Sequence, residues 1–531
     1  MGKTMNKLFA GIDSSTQSSK VVVICPETGQ VAHTDTVHYD SDLPAYHTLN
    51  GVATGLPEGC SEADPAMWVE ALRRLFARMR DSGFPVGEIR AISVSGQQHG
   101  LVTLDARGAL TRPMSKLWND FSTGEECRLL TEAVGGPAAM IAEVGNSQRT
   151  GYTAAKIFHL QRHDPEAFAR TTICFLVHNY INWHLTGGVA IMEPGDTSGM
   201  ALWHPGRQAW SPKVVSAIAP DLAGKLPPVT PSDRSIGTIS SAWAKEFGFR
   251  SDCRIDAGSG DNMYGAVGTG NIAPGIVTVS LGTSGTAYTV LEEPYIDPQG
   301  EIAAFCDSTG RHLPLLCVSN LANGYNAMLN HHHLTHQQFD QLIARTGAGN
   351  RGRLLLPWYE GERTPDVPLA APFYFGFELD DFTVEILCRA VLEGHVLNLF
   401  DGFRRMPVKA REIRLTGGLS QSPSWCQAIA DIFECETVPV EGEGAALGAA
   451  LHAAWVYAKE SSETTALSDI VEPFVRLRED RRCRPIDRNQ SRYRLMKELY
   501  HNLSQRARGI ISAADPFALR QQLVSLCDKS D

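Results

Sequence analysis

Leu8-Phe9-Ala10-Gly11-Ile12-Asp13-Ser14-Ser15-Thr16-Gln17-Ser18-Ser19-Lys20-Val21-Val22-Val23-Ile24-Cys25 is the stretch on which the reading of this chain turns. An apolar run, a hydroxyl-rich turn opening at Asp13 and a second apolar run predict a β-hairpin with a polar tip. The design returns where Ile276-Val277-Thr278-Val279-Ser280 leads through Leu281-Gly282-Thr283-Ser284-Gly285 into Thr286-Ala287-Tyr288-Thr289-Val290. The copies stand about half the chain apart, far beyond the roughly 20–50 residues of a solenoid repeat, so they predict two related domains.

Between the hairpins, strand-like runs such as Ile89–Ser95 alternate with helix-like runs such as Ala66–Met79, which predicts α/β layers. The Pro-rich and polar stretch Leu226–Ser235 reads as a surface connection, and a strand entering Asp256–Asp261 carries the chain toward the second domain. The expected organisation is one domain over residues 1–258, a second over 259–475 and a helical tail over 476–531. In that tail, Ser491–Ser512 is expected to be a helix packing back on the body, with the last residues frayed.

Size and composition fit this picture. A chain of 531 residues exceeds what one hydrophobic core organises, and 43% hydrophobic with 20% charged residues is the balance of a globular protein. The net charge of -11 leaves no basic surplus for a phosphate backbone, so neither nucleic acid nor an anionic membrane is an expected partner. The twelve cysteines contain no C-x-x-C pair, which points away from zinc ribbons and toward a reducing cytoplasm. Residues 1–7 run straight into a strand without the apolar region of a signal peptide, and no apolar run reaches the roughly 18 residues of a membrane span.

Three segments carry candidate chemistry. Each hairpin tip offers backbone and hydroxyl donors to phosphate oxygens, although either one alone reads first as an ordinary hydroxyl-rich turn. Ile413-Arg414-Leu415-Thr416-Gly417-Gly418-Leu419-Ser420-Gln421-Ser422 is a strand ending in a Gly pair before a helix, where a flat ligand can approach the backbone. No G-x-x-x-x-G-K-[ST] loop occurs, and no G-x-G-x-x-G follows a strand, so any nucleotide needs another cradle. In Gly258-Ser259-Gly260-Asp261-Asn262 the carboxylate suits either a general base or a helix N-cap. The His331–His336 tract could gather a transition metal, but it lacks paired Cys or H-E-x-x-H and reads as a solvated helix or loop.

In their order, the three segments resemble the actin-like, hexokinase-like and Hsp70-like ATPases. Asp13 with Ser15 and Thr16 matches the first phosphate segment, though Ser15 stands where Gly is common. Gly282, Thr283 and Ser284 match the second phosphate segment, and Gly417, Gly418 and Ser422 match the adenosine turn. The resemblance implies an α/β fold of two actin-like (ribonuclease H-like, hexokinase/Hsp70 superfamily) domains flanking a deep ATP and sugar cleft.

Within that superfamily the chain is similar to the FGGY carbohydrate kinases, from about residue 7 to about residue 500. The likeness rests on Ser95-Gly96-Gln97-Gln98-His99-Gly100, on Lys116-Leu117-Trp118-Asn119-Asp120 with Glu126-Cys127, on Gly151–Lys156 and on Leu356–Pro365; Ala155 stands where Pro is usual. It implies transfer of the ATP γ-phosphate to a ketopentose hydroxyl, D-xylulose ahead of ribulose or glycerol. Asp261 is then the base, with Gln98, His99, Trp118, Arg149, Asp261 and Asn262 on the sugar. Asp13, through water, and Asp261 are the implied Mg²⁺ ligands. Partners would be the sugar and MgATP, with a homodimer left open. A non-kinase actin-like ATPase or a sugar sensor is the alternative from another class.

Overall fold

The computed structural model describes residues 7–442, 444–462, 464–511 and 514–528. Two compact units are interleaved along the chain. The first comprises residues 1–272, 291–313 and 442–475, and the second comprises 273–290, 314–441 and 476–531. A single cut at residue 258 would therefore pass through the first unit, which also takes back the late segment 442–475.

In the first unit the opening hairpin is β1 (Leu8–Ser14) and β2 (Ser18–Cys25), followed by the antiparallel β3 (Gln30–His38). Helix α1 (Pro65–Asp81) begins at the N-cap Asp64, whose carboxylate accepts the Ala66 N–H. It buries Met67, Trp68, Ala71, Leu72, Leu75, Phe76 and Met79, the three-and-four spacing of a helix with one apolar face. Strand β4 (Ile89–Gly96) runs parallel to β1, helix α2 (Thr153–His163) follows, and β5 (Ser235–Thr238) and β6 (Arg254–Asp256) complete the sheet. Its order is β5-β6-β4-β1-β2-β3, with β4 and β6 parallel and β5 antiparallel at the edge. Helix α3 (Asp261–Gly268) leaves the carboxyl end of this sheet.

Both faces of the sheet are covered, so its strands are apolar at successive positions rather than at every second one. Ala10, Ile12, Val21 and Val23 pack with Trp68, Leu72, Leu75 and Phe76 on the α1 side. Phe9, Val22 and Ile24 pack with Ala446, Leu447, Ala450 and Leu451 of the helix Gly444–Glu460 on the other. Each large side chain buried this way contributes about 1.5–3 kcal/mol.

The second unit repeats the plan. Strands β7 (Ile276–Leu281) and β8 (Gly285–Thr289) form the second hairpin, and β9 (His312–Val318) pairs antiparallel with β8. Helices α4 (Ala322–His331), α5 (His336–Ala344) and α6 (Val384–Phe403) precede β10 (Glu412–Thr416), which is parallel to β7. Helix α7 (Pro423–Phe433) leads to β11 (Glu436–Glu441), parallel to β10, and β12 (Arg476–Leu477) is the antiparallel edge. The run β12-β11-β10-β7-β8-β9 matches β5-β6-β4-β1-β2-β3 strand for strand and sense for sense. Duplication, inferred from two hairpins, extends to six of the seven strands in each sheet.

The late helix is α8 (Asp487–Ala507), tied down by Tyr493 Oη donating to Glu393 Oε1 at 2.8 Å and Tyr500 Oη donating to Asn398 Oδ1 at 2.8 Å. Ser512 and the final residues 529–531, where the helix end and fraying were expected, lie outside the described residues.

Helix Gly444–Glu460 reaches α3 and β1 only because glycines remove side chains at the contacts. A Cβ on Gly448 would lie 1.8 Å from the Tyr264 carbonyl oxygen, and one on Gly11 2.0 Å from that of Ala446. Gly448→Ala is expected to cost about 1–3 kcal/mol through forced separation of the backbones. Gly224→Ala, with nothing within 4 Å of its Cβ, should stay within about 0.5 kcal/mol in the same thermal unfolding series. Equal midpoints for the two variants would contradict the close-contact account.

Candidate active site

The parallel register brings the chemistry to one end of the first sheet. Asp13 pairs with Ser95 and Ser14 with Gly96, while Ser259 and Gly260 pair with the same two β4 residues. Asp13, Gln98 and Asp261 therefore leave adjacent carboxyl ends of parallel strands, where open α/β sheets bind ligands. Asp261 is the first residue of α3, and the N-cap is Gly260, which has no side chain to cap with. The cap alternative for Asp261 is thus not the arrangement found.

Ser95 Oγ donates to Asp13 Oδ1 at 2.7 Å. Asn262 Nδ2 donates to Gln98 Oε1 at 2.8 Å and to Asp261 Oδ1 at 3.0 Å, so one amide orients the candidate base against the candidate sugar contact. Burial pushes the Asp13 carboxyl up to about 6, against the pull of Ser95 and Lys20. Burial, then the negative charges of Asp13 and Asp196, pushes Asp261 up to about 8. Two buried carboxyls this near to one another, each hard to ionise unaided, form a site that favours a cation. Among the described residues no group of three or more His, Cys, Asp and Glu gathers as a metal cage. Two hard oxygen donors do fit Mg²⁺ completed by water and phosphate oxygens.

Of the other candidates of this unit, Trp118, Thr16 and Ser15 are linked to one another through Gln97. Trp118 Nε1 donates to Thr16 Oγ1 at 2.9 Å, Thr16 Oγ1 donates to Gln97 Oε1 at 3.4 Å, and Gln97 Nε2 donates to the Ser15 carbonyl at 3.3 Å. Ser15 Oγ donates to the Ser18 carbonyl inside its own turn, and Ser15 lies outside the left-handed region, so a side chain in place of Gly brings no backbone strain there. His99 is left-handed at φ 66°, with its ring 4.6 Å from that of Tyr152. Arg149 lies apart from this chain of bonds, with Nη2 donating to the Gly300 carbonyl at 3.2 Å.

In the second unit, Gly282–Ser284 form the tip between β7 and β8, closed by Ala322 N–H donating to the Gly282 carbonyl at 3.1 Å. Gly417 (φ 83°) sits against the same hairpin, since a Cβ there would lie 2.6 Å from the Leu281 carbonyl oxygen, while Gly418 has nothing within 4 Å. The second phosphate segment and the adenosine turn are thus neighbours. Ser422 is the N-cap of α7, and its hydroxyl donates to Asp340 Oδ1 at 2.7 Å. His331 closes α4, and Thr335, with Gln338, makes the capping box of α5.

Residues outside the sequence motifs hold the site in place. Glu193, fully buried, accepts from Gly195 N, Asp196 N, Ser232 Oγ and Ser259 Oγ at 2.6–3.0 Å, fixing the strand that delivers Asp261. Tyr264, one turn into α3, hydrogen-bonds Ser93 Oγ at 2.7 Å and His452 Nδ1 at 3.3 Å, and His452 Nε2 donates to the Ser308 carbonyl at 2.7 Å. No local spacing marks these groups. The available signal was their type, polar residues embedded in apolar runs.

The two matching sheets, each opening on a hairpin with a polar tip, define the fold of the actin-like superfamily. Residues 8–268 match the N-terminal domain of the FGGY family of carbohydrate kinases and residues 277–457 its C-terminal domain, and the chain belongs to that family. The xylulose kinase of Haemophilus influenzae is 35% identical over 491 residues, covering 90% of this chain and 95% of that protein. That of Streptomyces coelicolor is 32% identical over 471 residues, covering 88% and 91%. A solved xyloylose kinase from Brucella ovis superposes with a TM-score of 0.84 at 25% identity, covering 94% and 99%. The enzyme is an ATP-dependent carbohydrate kinase.

The raised carboxyls have a measurable consequence in the ligand-free protein. Between the unfolded carboxylate range near pH 4 and the native values of about 6 and 8, the folded state holds more protons than the unfolded state. Stability from this pair is therefore fully present at low pH and is lost as pH rises through that window. Asp261→Asn should flatten the decline of the unfolding midpoint between pH 5 and pH 8, and identical slopes for wild type and variant would count against the coupled-carboxylate account.

Proposed function

We propose that this enzyme phosphorylates D-xylulose to D-xylulose 5-phosphate, with Asp261 as the general base. The observation that carries the reading is Asp261 itself: a carboxyl at the carboxyl end of the sheet, oriented by Asn262 and Gln98 and facing a second carboxyl, Asp13. Xylulose kinases 32–35% identical over nearly the full chain support the choice of sugar.

In this reading Gln98, His99, Trp118, Arg149 and Asn262 contact the sugar. Nucleotide contacts are assigned to Asp13, Ser15 and Thr16 in the first unit, and to Gly282, Thr283, Ser284, Gly417, Gly418 and Ser422 in the second. Phosphoryl transfer demands little covalent chemistry of a protein, so these groups chiefly position the reactants. Asp13, through water, and Asp261 would hold Mg²⁺, which supplies neutralisation of phosphate charge and keeps both carboxyls ionised. The ionised Asp261 then accepts the proton of the attacking sugar hydroxyl. All twelve cysteines are free thiols, in keeping with a reducing, cytoplasmic location. Among the described residues no helix is long and apolar enough to cross a membrane.

ADP release from MgATP should be measured with D-xylulose, D-ribulose, L-ribulose, L-xylulose, glycerol and no sugar. D-Xylulose is expected to give the largest kcat/KM. Asp261→Asn should lose about 10²–10⁴-fold in kcat while still binding sugar. A larger kcat/KM for another polyol would overturn the substrate, and unchanged turnover in the variant would overturn the base.

A further inference from the structure

Lys156 is a lysine where an apolar residue would be expected. It lies in α2 among Ala154, Ala155 and Ile157, and only 1% of it is exposed. Lysine is almost never buried to this extent without a demand on its charge. Its Nζ donates to the His99 carbonyl at 2.7 Å and to the Gly151 carbonyl at 2.6 Å. Thr153 Oγ1, one turn earlier on the same helix, donates to the same His99 carbonyl at 3.2 Å. Two donors from α2 thus converge on one main-chain oxygen.

That oxygen belongs to a strained residue. His99 adopts φ 66°, a conformation that a non-glycine residue keeps only where its surroundings over-determine it. Behind its ring, a Cβ on Gly199 would lie 2.8 Å from His99 Cε1, so the imidazole has no room to retreat on that side. The second acceptor, Gly151, is left-handed at φ 89° and packs against the Trp118 main chain, where a Cβ would lie 2.2 Å from the Trp118 carbonyl oxygen. One buried amino group therefore ties together the backbone turns that present His99 and Trp118. Burial pulls the Lys156 amine down to about 7, and its charged and neutral forms both carry enough N–H groups to donate to the two carbonyls.

We propose that Lys156 is a positioning residue of the sugar site, holding the left-handed turn at His99 and the Gly151 turn behind Trp118 in the geometry that receives the sugar. The proposal rests on reading His99 as a sugar contact. Lys156 touches neither reactant in this account, and its effect is felt through the placement of His99.

The test compares Lys156→Met with Lys225→Met. Lys225 is another buried lysine, whose Nζ donates to the Thr171 carbonyl at 2.7 Å and lies 3.1 Å from Asp221 Oδ2, so its substitution removes a buried amino group elsewhere in the unit. Full-length variants are assayed for unfolding midpoint, kcat and KM for D-xylulose and KM for ATP. Lys156→Met is expected to raise the D-xylulose KM at least tenfold, to leave the ATP KM within twofold and to lower the kcat/KM ratio of D-xylulose over L-xylulose. Lys225→Met should lower the midpoint alone. A D-xylulose KM within twofold of wild type in folded Lys156→Met, or an equal rise in Lys225→Met, would overturn the proposal. Should Lys156→Met fail to fold, Thr153→Val decides: a rise of at least threefold in the D-xylulose KM at constant ATP KM supports the positioning role, and an unchanged KM overturns it. His99→Ala separates the layers. If it raises the D-xylulose KM while Lys156→Met does not, only the role of Lys156 falls; if it also leaves KM unchanged, the sugar-site reading falls and the proposal with it.

Discussion

Two carboxyl groups with their charges partly withdrawn from water, Asp13 and Asp261, are the constraint around which the first unit is organised. Burial resists the ionisation of both, the charge of Asp13 adds to that resistance at Asp261, and each lies at a different strand end of one sheet. Left to themselves such groups would turn toward solvent or draw water in. The structure opposes that with Ser95 on Asp13, the Asn262 amide on Asp261, and Glu193 gathering four donors around the segment that ends at Ser259. Strain of this kind is characteristic of functional sites, where a ligand rather than the protein supplies the missing countercharge.

Close backbone packing makes the arrangement rigid. Helix Gly444–Glu460 lies directly on α3 and β1 through Gly448 and Gly11, and the buried Ser93–Tyr264–His452 chain of hydrogen bonds fastens α3 to β4 and to that helix. Burial also pushes the Asp256 carboxyl, 3.5 Å from His452 Nδ1, up to about 7, a further acid withdrawn from water beneath this helix contact. Asp261, the proposed base, thus sits at the start of a helix held on several sides, at the sheet's carboxyl end.

The duplication shows how much of the fold was legible beforehand. The hairpins at residues 8–25 and 276–290 predicted two related domains, and both sheets carry the same order and sense of pairing. Asp13, Gln98 and Asp261 were recognisable because each follows an apolar run and lies in a short motif. Ser15 and Ala155 depart from the family pattern without visible strain: Ser15 uses its hydroxyl inside its own turn, and Ala155 is fully buried in α2. Lys156 was in plain view within a quoted motif, yet its role depends on the His99 carbonyl, 57 residues earlier, and no local spacing encodes that meeting.

The sequence by itself determined the strands, the polar tips, the Gly-Gly turn and which acid is the candidate base, because these follow from local pattern: periodicity, turn chemistry and the residue type a reaction needs. Only the tertiary structure decided that residues 442–475 return to the first unit, that Gly417 rests against the second hairpin, and that Lys156 and Thr153 converge on one carbonyl. Those outcomes depend on which distant surfaces meet and how much water is excluded where they do, and burial, rather than residue type, is what moves the Asp13 and Asp261 carboxyls from their ordinary range.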